Sequence, residues 1–335
     1  MTAILAVMNH KGGVGKTTTT LNLASALAAG GQSVLMIDMD PQSNAATGLG
    51  INFKSIECGT YELILGDAVL SDVTLKTDLP NLSLVPATFQ LAALSTVSPD
   101  DEDPEFWLRE SLEETDHDYD FILIDCPPSF GILSLNALVA AQCVIVPVQS
   151  ESFAIAGLQQ MEESIERIRN EAEHDLTYRI LMTLSDESQN LHRIVDQQVR
   201  AHFGERVFKT SIPVEPKIAE SAFLGRPVVV HSPNSKGSRA YIRACAECLN
   251  WVSSSSTSID AYEQQIMDGI THWIQNNEIS SVQTSPQNLE DDPKSNPPSK
   301  TPPQPENTFR VTIRNGVILA LALTAGMAVA LLGMQ

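Results

Sequence analysis

Short runs of apolar residues recur up to residue 252, and longer segments of mixed character separate them. The apolar runs predict buried strands at residues 3–8, 32–40, 81–87, 121–125, 143–148, 179–184 and 207–212, with a short strand or extended piece at 228–231. The segments between them predict helices at residues 19–29, 58–65, 69–75, 89–94, 105–115, 132–141, 152–173, 190–203 and 236–252. This alternation indicates an α/β fold with a doubly wound, mostly parallel sheet and helices on both faces.

The pattern changes after this first predicted domain, residues 1–252. Residues 253–279 contain apolar positions at helical spacing between 259 and 274, which predict an amphipathic helical extension. Residues 280–309 are rich in Pro, Ser, Asn and Gln, a composition that is typical of disordered linkers. Residues 315–335 contain an uncharged apolar run, which is long enough to cross a bilayer as a transmembrane helix.

The alternative for this last run is a buried core helix, but a helix behind a disordered linker has no core to enter. We therefore expect a single-pass C-terminal membrane anchor. The basic residues Arg310 and Arg314 then stay with the folded domain on the cytoplasmic face of the membrane. The amphipathic helix can pack on the domain, on a partner or on a membrane surface, and packing on the domain is the default expectation.

The composition of the chain limits the cellular compartment and the binding partners that we expect. The chain has 335 residues, enough for one α/β domain of about 250 residues with a tail. Its five cysteines show no disulfide spacing, which indicates a reducing compartment, and the early first strand leaves no room for a signal peptide. For Cys245 and Cys248, a lone CxxC in a predicted helix, two buried residues are a simpler explanation than a metal or redox site. The formal net charge of −20 disfavours nucleic acid unless basic residues cluster locally.

The turn between the first predicted strand and helix has the sequence of a phosphate-binding loop, consisting of Lys11, Gly12, Gly13, Val14, Gly15, Lys16, Thr17 and Thr18. Its glycines let backbone N–H groups surround phosphate oxygens, and the positive end of the next helix faces the same anion. Lys16 can place its charge on the phosphates, and the Thr17 hydroxyl can bind Mg²⁺. A Gly-rich turn without a ligand fits this spacing and context less well.

Acidic residues follow two of the predicted strands, at Asp38, Asp40 and Asp125. Acidic residues at the carboxyl ends of parallel strands lie beside the ligand crevice of such a sheet. Asp38 and Asp40 could instead cap the next helix, but the phosphate-binding loop one strand earlier favours a role at the ligand. Asp125 ends an apolar strand as a Walker B-like carboxylate, directed at Mg²⁺ and the γ-phosphate. We expect the neighbouring Cys126 to be a small buried residue rather than a nucleophile.

The loop sequence KGGVGKTT resembles the deviant Walker A motif of the ParA/MinD ATPases. The sequences DMDPQ and DCPPS extend the likeness to Soj-type ParA proteins, over residues 3–252. The resemblance implies a P-loop ATPase that binds ATP and Mg²⁺, forms a homodimer around ATP and has a ParB-like activator. It further implies that Lys11 reaches the partner's nucleotide. By the same resemblance, Asp40 orients the attacking water and Asp38 supports the metal, while Asp125 senses the γ-phosphate.

Basic residues cluster between residues 190 and 245, in contrast to the rest of the chain. Arg193 and Arg200 are seven positions apart on one predicted helix, a spacing that can form a phosphate-binding stripe. Soj-type proteins use arginines in this region to hold DNA; Lys217 stands at one of those positions here, and Ser188 at another. The alternative is that these residues are ordinary surface charge. Non-specific binding of DNA is therefore one of two interpretations of this basic cluster.

The leading functional hypothesis is a membrane-tethered ParA-like ATPase that positions or partitions a cargo, either chromosome or plasmid DNA or a protein complex. The first alternative is a MinD-like, membrane-bound spatial regulator. The second is a membrane scaffold that uses nucleotide as a switch with little turnover, which the presence of Lys11 and Asp40 disfavours.

Overall fold

The central element of the structure is a mostly parallel β-sheet. The computed structural model describes residues 2–96, 103–172, 174–253 and 257–276. The strands in these ranges are β1 (Ala3–Val7), β2 (Val34–Asp38), β3 (Leu75–Lys76), β4 (Leu82–Val85), β5 (Phe121–Asp125), β6 (Cys143–Gln149) and β7 (Thr177–Thr183). They form one seven-stranded sheet in the order β3-β4-β2-β5-β1-β6-β7, in which only β3 runs antiparallel to its neighbour. The predicted α/β class and the mostly parallel sheet are confirmed.

Helices connect the strands. Within the described ranges they are α1 (Lys16–Ala29), α2 (Asn44–Gly48), α3 (Thr60–Ile64), α4 (Leu70–Val73), α5 (Trp107–Glu113), α6 (Ile132–Ala140), α7 (Ala154–Glu171), α8 (Asn190–Phe203), α9 (Pro216–Phe223), α10 (Val228–His231), α11 (Lys236–Ser253) and α12 (Ile259–Gln275). The predicted helix at 89–94 is a 3-10 helix, Phe89–Thr96.

Successive residues of the inner strands face opposite sides of the sheet and build two apolar clusters. Leu5 and Val7 of β1 lie in the cluster formed with α1, α11 and α12, whereas Ala6 and Met8 lie in the cluster formed with α6 and α7. Because helices cover both faces, the inner strands need apolar residues at every position. This is why β1, β2 and β5 were recognisable as continuous apolar runs.

The predicted strand at residues 207–212 is wrong. In the described ranges, only isolated parallel bridges near its two ends continue the sheet beyond β7. Between them, the buried carboxylate of Glu247 accepts hydrogen bonds from the backbone N–H groups of Lys209 (2.7 Å) and Thr210 (2.9 Å). The amides of Phe208 and Ile212 still donate to carbonyls of β7, at 2.9 and 2.8 Å, but the two amides bound by α11 interrupt the ladder that a regular strand would continue.

The apolar run at residues 228–231 is one turn of helix, α10, and not an extended piece. The backbone N–H groups of Val230 and His231 both donate to the carbonyl of Pro227, at 3.1 and 2.9 Å. The three valines of this turn are buried in the cluster that contains α1 and α11. So short an apolar run does not distinguish helix from strand by periodicity, and packing decided the outcome.

Helix α12 packs onto the domain, as expected from its amphipathic pattern. The Gln265 side chain donates to the carbonyl of Gly30, just after the end of α1, at 2.6 Å. The backbones approach so closely that a Cβ on Gly269 would lie 1.8 Å from the carbonyl oxygen of Ala29. The buried side chains of α12 are Ile266, Ile270 and Trp273. Helix α12 is therefore part of the same compact unit as the sheet.

The predicted linker at 280–309 and the predicted transmembrane helix at 315–335 lie outside the described residues. Among the helices within the described ranges, none combines the length and the apolar character that a membrane span requires.

Both cysteines of the CxxC sequence are buried in α11, as predicted. Burial raises the pKa of the Cys245 and Cys248 thiols, so both stay protonated. In the described part of the chain, no group of three or more His, Cys, Asp or Glu residues could hold a metal ion. Cys126 is likewise fully buried, which agrees with its expected packing role.

The close contact at Gly269 leads to a stability prediction. In Gly269→Ala, the added methyl group must push α12 away from α1, and overpacking of this kind costs roughly 1–3 kcal/mol. We expect the thermal unfolding midpoint of the full chain to fall by roughly 2–10 °C, measured by differential scanning calorimetry.

Gly157→Ala is the matched control, because Gly157 lies on the exposed face of α7 with nothing within 4 Å of its Cβ position. There the gain in helix propensity should raise stability by up to about 1 kcal/mol. Equal effects of the two substitutions would show that α12 does not press on α1.

Candidate nucleotide-binding site

The predicted phosphate-binding loop lies between the end of β1 and the start of α1. Gly13 and Gly15 have φ angles of 78° and 86°, in the left-handed region that glycine adopts without strain. The first turn of α1 begins directly after Gly15, so its free backbone N–H groups face the loop. Loop and helix together form the concave, positively polarised surface that binds phosphate groups.

Hydrogen bonds to residues far away in sequence hold this loop in place. Asn9 donates from Nδ2 to the carbonyl of Pro147 at 2.7 Å, and its Oδ1 accepts from the backbone N–H of Lys11 at 2.9 Å. The hydroxyl of Thr183, at the end of β7, donates to the carbonyl of Val14 at 2.8 Å. Sequence reasoning missed Asn9 and Thr183, because neither belongs to the motif and only the fold brings Thr183 to the loop.

The two lysines of the loop have different environments. Lys16 is buried, and its Nζ donates to the carbonyl of Lys11 at 3.2 Å. Burial lowers the pKa of the Lys16 ammonium, an effect that the negative charge of Asp125 opposes. The ammonium of Lys11 is half-exposed and forms an ion pair with Glu151, at the end of β6. Lys16 therefore lines the cleft, whereas Lys11 does not line it and is paired with Glu151.

Asp38 and Asp125 end neighbouring parallel strands, directly opposite each other and fully buried. Asp38 accepts hydrogen bonds from the backbone N–H groups of Asp40 (2.9 Å) and Ala45 (3.2 Å). Asp125 Oδ1 accepts from the hydroxyl of Thr20 at 3.0 Å. Burial raises the pKa of Asp125 to about 7, and it raises the pKa of Asp38 well above its usual range, with the charge of Asp125 adding to the effect.

Asp40 starts the turn that follows β2 and is nearly buried at the cleft. Its Oδ1 accepts from the backbone N–H of Gln42 at 3.0 Å, and its carbonyl accepts from the N–H of Ser43 at 2.9 Å. The buried carboxylate of Asp38 accepts a hydrogen bond from the backbone N–H of Asp40. The carboxylate of Asp40 is thus fixed by its own turn and directed to the ligand side.

The residues around Asp125 fit a magnesium ion. Asp125 Oδ2 is buried and has no hydrogen-bond partner among the described residues. The hydroxyl of Thr17, which lines the cleft, lies near enough to the same carboxylate to oppose the rise in its pKa. Hydroxyl and carboxylate oxygens beside a phosphate site are the ligands that Mg²⁺ prefers. Both oxygens of Asp38 are bound by amides, so Asp38 acts on this site by holding its surroundings.

Two adjacent spaces open around the loop. A polar cleft of about 490 Å³ is lined by the loop and by Asp40. A more apolar pocket of about 380 Å³ shares Gly13, Gly15 and Thr18 with it. The apolar pocket is further lined by Pro213, Val214, Ile218 and Tyr241. A polar cleft beside an apolar pocket matches a nucleotide, with phosphates in the first and the base in the second.

The proposed DNA-contacting residues are not equally available. The guanidinium of Arg200 donates to Asp196 (2.8 Å), the Phe208 carbonyl (2.7 Å) and Ser211 (2.9 Å), so it holds the chain that follows α8. Arg193 is exposed, and Lys217 is paired with Glu220 at 2.7 Å. The structure therefore does not bring Arg193 and Arg200 together as an exposed stripe.

Comparison with known proteins agrees with the geometry of the site. A family model described as an AAA domain matches residues 2–178. The chromosome partitioning protein ParA of Caulobacter vibrioides is 39% identical over 250 residues, which cover 74% of this chain and 94% of that protein. The sporulation initiation inhibitor protein Soj of Bacillus subtilis is 38% identical over 248 residues, which cover 74% of this chain and 98% of that protein.

A solved structure extends the comparison to bound ligands. Cobyrinic acid a,c-diamide synthase from Mycobacterium smegmatis, with bound ADP and magnesium, is similar with a TM-score of 0.66 and 33% identity. The match covers 77% of this chain and 98% of that chain. The same enzyme has also been solved with an ATP analogue and magnesium.

The hydrogen bond from Thr183 to the loop can be tested directly. In Thr183→Val, the carbonyl of Val14 loses its partner inside the protein, which costs roughly 1–3 kcal/mol. A loosened loop must be ordered again when the nucleotide binds, so part of this cost reduces the binding free energy. We expect nucleotide affinity to fall by up to about tenfold, which corresponds to a loss of about 1.4 kcal/mol of binding free energy. A titration with a fluorescent ATP analogue measures this.

Thr177→Val, at the other end of β7, is the matched control and should leave nucleotide affinity unchanged. If both variants bound nucleotide like the unaltered chain, the loop would not depend on β7.

Proposed function

The chain belongs to the ParA/Soj-type family of P-loop ATPases, and from this premise we propose that it dimerises on ATP and uses hydrolysis to position or partition a cargo at a membrane. It is an ATP hydrolase, and its cofactors are ATP and Mg²⁺. The observation that carries the proposal is a nucleotide cleft lined by the loop, Lys16 and Asp40, with a second, half-exposed loop lysine, Lys11, paired with Glu151.

Each side chain of the cleft has a separate role in ATP binding and hydrolysis. The loop amides and Lys16 hold the phosphates, and Thr17 with Asp125 holds Mg²⁺, which supplies charge neutralisation at the β- and γ-phosphates. Asp40 orients the attacking water, since its carboxylate is fixed at the cleft by the N–H of Gln42. Asp125 also responds to the γ-phosphate. Asp38 supports the metal indirectly, through the groups that it binds.

Lys11 is the residue that makes the loop a deviant Walker A motif, and we assign it to the partner's nucleotide. Its ion pair with Glu151 is half-exposed, and pairs of this kind contribute only about 0–1 kcal/mol. Exchanging Glu151 for a phosphate group therefore costs little. A half-exposed ammonium that does not line the cleft of its own chain can reach a second copy of the chain.

Exposed phenylalanines on the edge of the sheet where the cleft opens support the dimer. Phe89 follows β4 and is 84% exposed, and Phe153 follows β6 and is 81% exposed. Phe223, which lies beyond β7 at the end of α9, is 84% exposed. Large apolar side chains exposed around a ligand cleft are typical of a protein interface.

Membrane tethering is proposed from the sequence of the tail. The uncharged run at 317–334 has the length of a bilayer span, and Arg310 and Arg314 precede it. The ATPase would then work on the cytoplasmic face, with a ParB-like protein as activator. A MinD-like regulator or a switched scaffold with little turnover is the alternative, which turnover rates with and without lipid would distinguish.

Dimerisation is expected to depend both on the contact between Lys16 and the nucleotide phosphates and on the exposed phenylalanines around the cleft. Lys16→Ala should abolish ATP-dependent dimerisation, because the nucleotide is no longer held. Phe153→Ser should weaken the dimer at least tenfold, since an interface aromatic contributes about 2 kcal/mol or more. Analytical ultracentrifugation with ATP and Mg²⁺ measures both dissociation constants.

Leu191→Ser provides the control, because Leu191 is also exposed but lies on α8. A Lys16→Ala protein that dimerised like the unaltered chain would remove the mechanism.

Removal of residues 310–335 should release the protein from the membrane. We expect the full chain in the membrane fraction and the shortened chain in the soluble fraction, with ATP turnover retained by both, as measured by cell fractionation and phosphate release. Loss of turnover on shortening would indicate misfolding, and membrane retention would contradict the anchor.

A further inference from the structure

Two turns lie side by side at the carboxyl edge of the sheet. The phosphate-binding loop follows β1, and a second turn, residues 127–131, follows β5 and precedes α6; we call it the proline turn. The ladder between β1 and β5 ends with Val7 opposite Asp125, and the N–H of Cys126 donates to the carbonyl of Val7 at 3.3 Å. Beyond Cys126, no backbone hydrogen bond between described residues joins the loop to the proline turn.

The proline turn has few backbone donors of its own. Pro127 and Pro128 have no N–H group, so neither can donate a hydrogen bond to the loop. The far end of the turn is tied to α6, because the hydroxyl of Ser134 donates to the carbonyl of Ser129. Pro128 lines the nucleotide cleft beside Gly12, and the Cβ position of Gly12 is 3.9 Å from the Cβ of Pro128. A shift of the proline turn therefore moves part of the cleft wall.

A contact between two rings joins the loop to the proline turn. The ring centroids of His10, which directly precedes the loop, and Phe130 are 5.0 Å apart, with the ring planes inclined by 35°. The Nε2 atom of His10 is buried and makes no hydrogen bond within the described residues. Burial lowers the pKa of His10, and the positive charge of Lys16 adds to this effect. The imidazole is therefore neutral at pH 7 and packs on Phe130 as an aromatic ring.

The other side of the Phe130 ring borders an apolar pocket. This pocket has a volume of about 250 Å³ and is lined by Leu135 and Val139 of α6 and by Ile168 of α7. The Phe130 side chain is also 37% exposed. Because the ring is not packed closely on all sides, it has room to turn away from the loop. The contact with His10 is then what keeps Phe130, and with it the proline turn, next to the loop.

We propose that His10 and Phe130 are positioning residues for ATP hydrolysis, whose ring contact holds the proline turn against the phosphate-binding loop. The contact keeps the cleft wall at Pro128 and the chain that follows Asp125 in place while the reaction occurs. The loop itself is anchored separately, by hydrogen bonds to β6 and β7. The contact therefore acts on kcat rather than on nucleotide affinity. This inference rests on the proposed role of Asp125 in hydrolysis.

Steady-state ATP hydrolysis by the full chain tests the role of His10. His10→Ala should lower kcat roughly two- to tenfold, which is the change in rate that corresponds to the loss of one aromatic pair. The KM for ATP and the affinity for a fluorescent ATP analogue should stay the same. His10→Phe keeps a ring in place of the neutral imidazole and should restore kcat. The stoichiometry of analogue binding counts the folded molecules, so a loss of folded protein is recognised and corrected for.

A double-mutant cycle tests whether His10 and Phe130 act as a pair. Phe130→Leu keeps an apolar side chain beside the pocket but removes the ring, and it should lower kcat like His10→Ala. The chain with both substitutions should be no slower than the slower single variant, so the two effects are non-additive by roughly two- to tenfold. Effects of the two substitutions that simply multiply would overturn the pair, and so would a His10→Ala protein that binds nucleotide weakly but keeps its kcat.

His202→Ala is the matched control. His202 forms a ring pair with Phe203, with centroids 4.7 Å apart, and it is exposed on α8. Its substitution removes the same kind of contact outside the cleft and should leave kcat unchanged. An equal fall of kcat in His202→Ala and His10→Ala would overturn the inference.

The inference and the proposed function can fail separately. Hydrolysis and ATP-dependent dimerisation of the unaltered chain are measured first, and their absence would contradict the proposed function. If both are present, but His10→Ala keeps its kcat or His10→Phe does not restore it, the role of the ring pair is overturned alone.

Discussion

Two carboxyl groups, those of Asp38 and Asp125, lie side by side at the carboxyl edge of the sheet, buried and in register on neighbouring strands. Negative charges in such a position repel each other and lose their hydration, so a fold keeps them only where other groups compensate. Backbone amides compensate for Asp38, whereas the Thr20 hydroxyl and the charge of Lys16 compensate for Asp125. The same electrostatic requirement therefore ties together the loop that carries Lys16 and the turn that carries Asp40.

This compensation leaves part of the negative charge of Asp125 unbalanced, and that charge is available to bind a ligand. One oxygen of Asp125 stays buried without a partner among the described residues. A divalent cation bound there would relieve the remaining repulsion, so that binding of the metal nucleotide gains more than the contacts of the loop alone. The Asp40 turn is held by Asp38 on one side and lines the nucleotide cleft on the other. Its position therefore depends on the same pair of buried carboxyl groups.

Helix α1 connects the chemistry to the rest of the chain. It begins at the phosphate-binding loop and extends about 20 Å, and its last turn packs against α12. The exposed phenylalanines lie at the cleft edge, near the start of α1. The surface proposed to close on a second copy and helix α12 thus lie towards opposite ends of α1.

The sequence by itself determined the α/β class, the phosphate-binding loop and the acids at the ends of β2 and β5. These features depend on local pattern: continuous apolar runs, glycines at fixed spacing and carboxylates next to strand ends. Only the tertiary structure decided that residues 207–212 do not form a regular strand, because Glu247 of α11 binds the amides of Lys209 and Thr210. Packing likewise decided that 228–231 is helical. The hydrogen bonds from Asn9 to Pro147 and from Thr183 to Val14 join residues distant in sequence, which no local pattern contains. The bonds of Arg200 to Phe208 and Ser211 depend on how the chain folds back after α8.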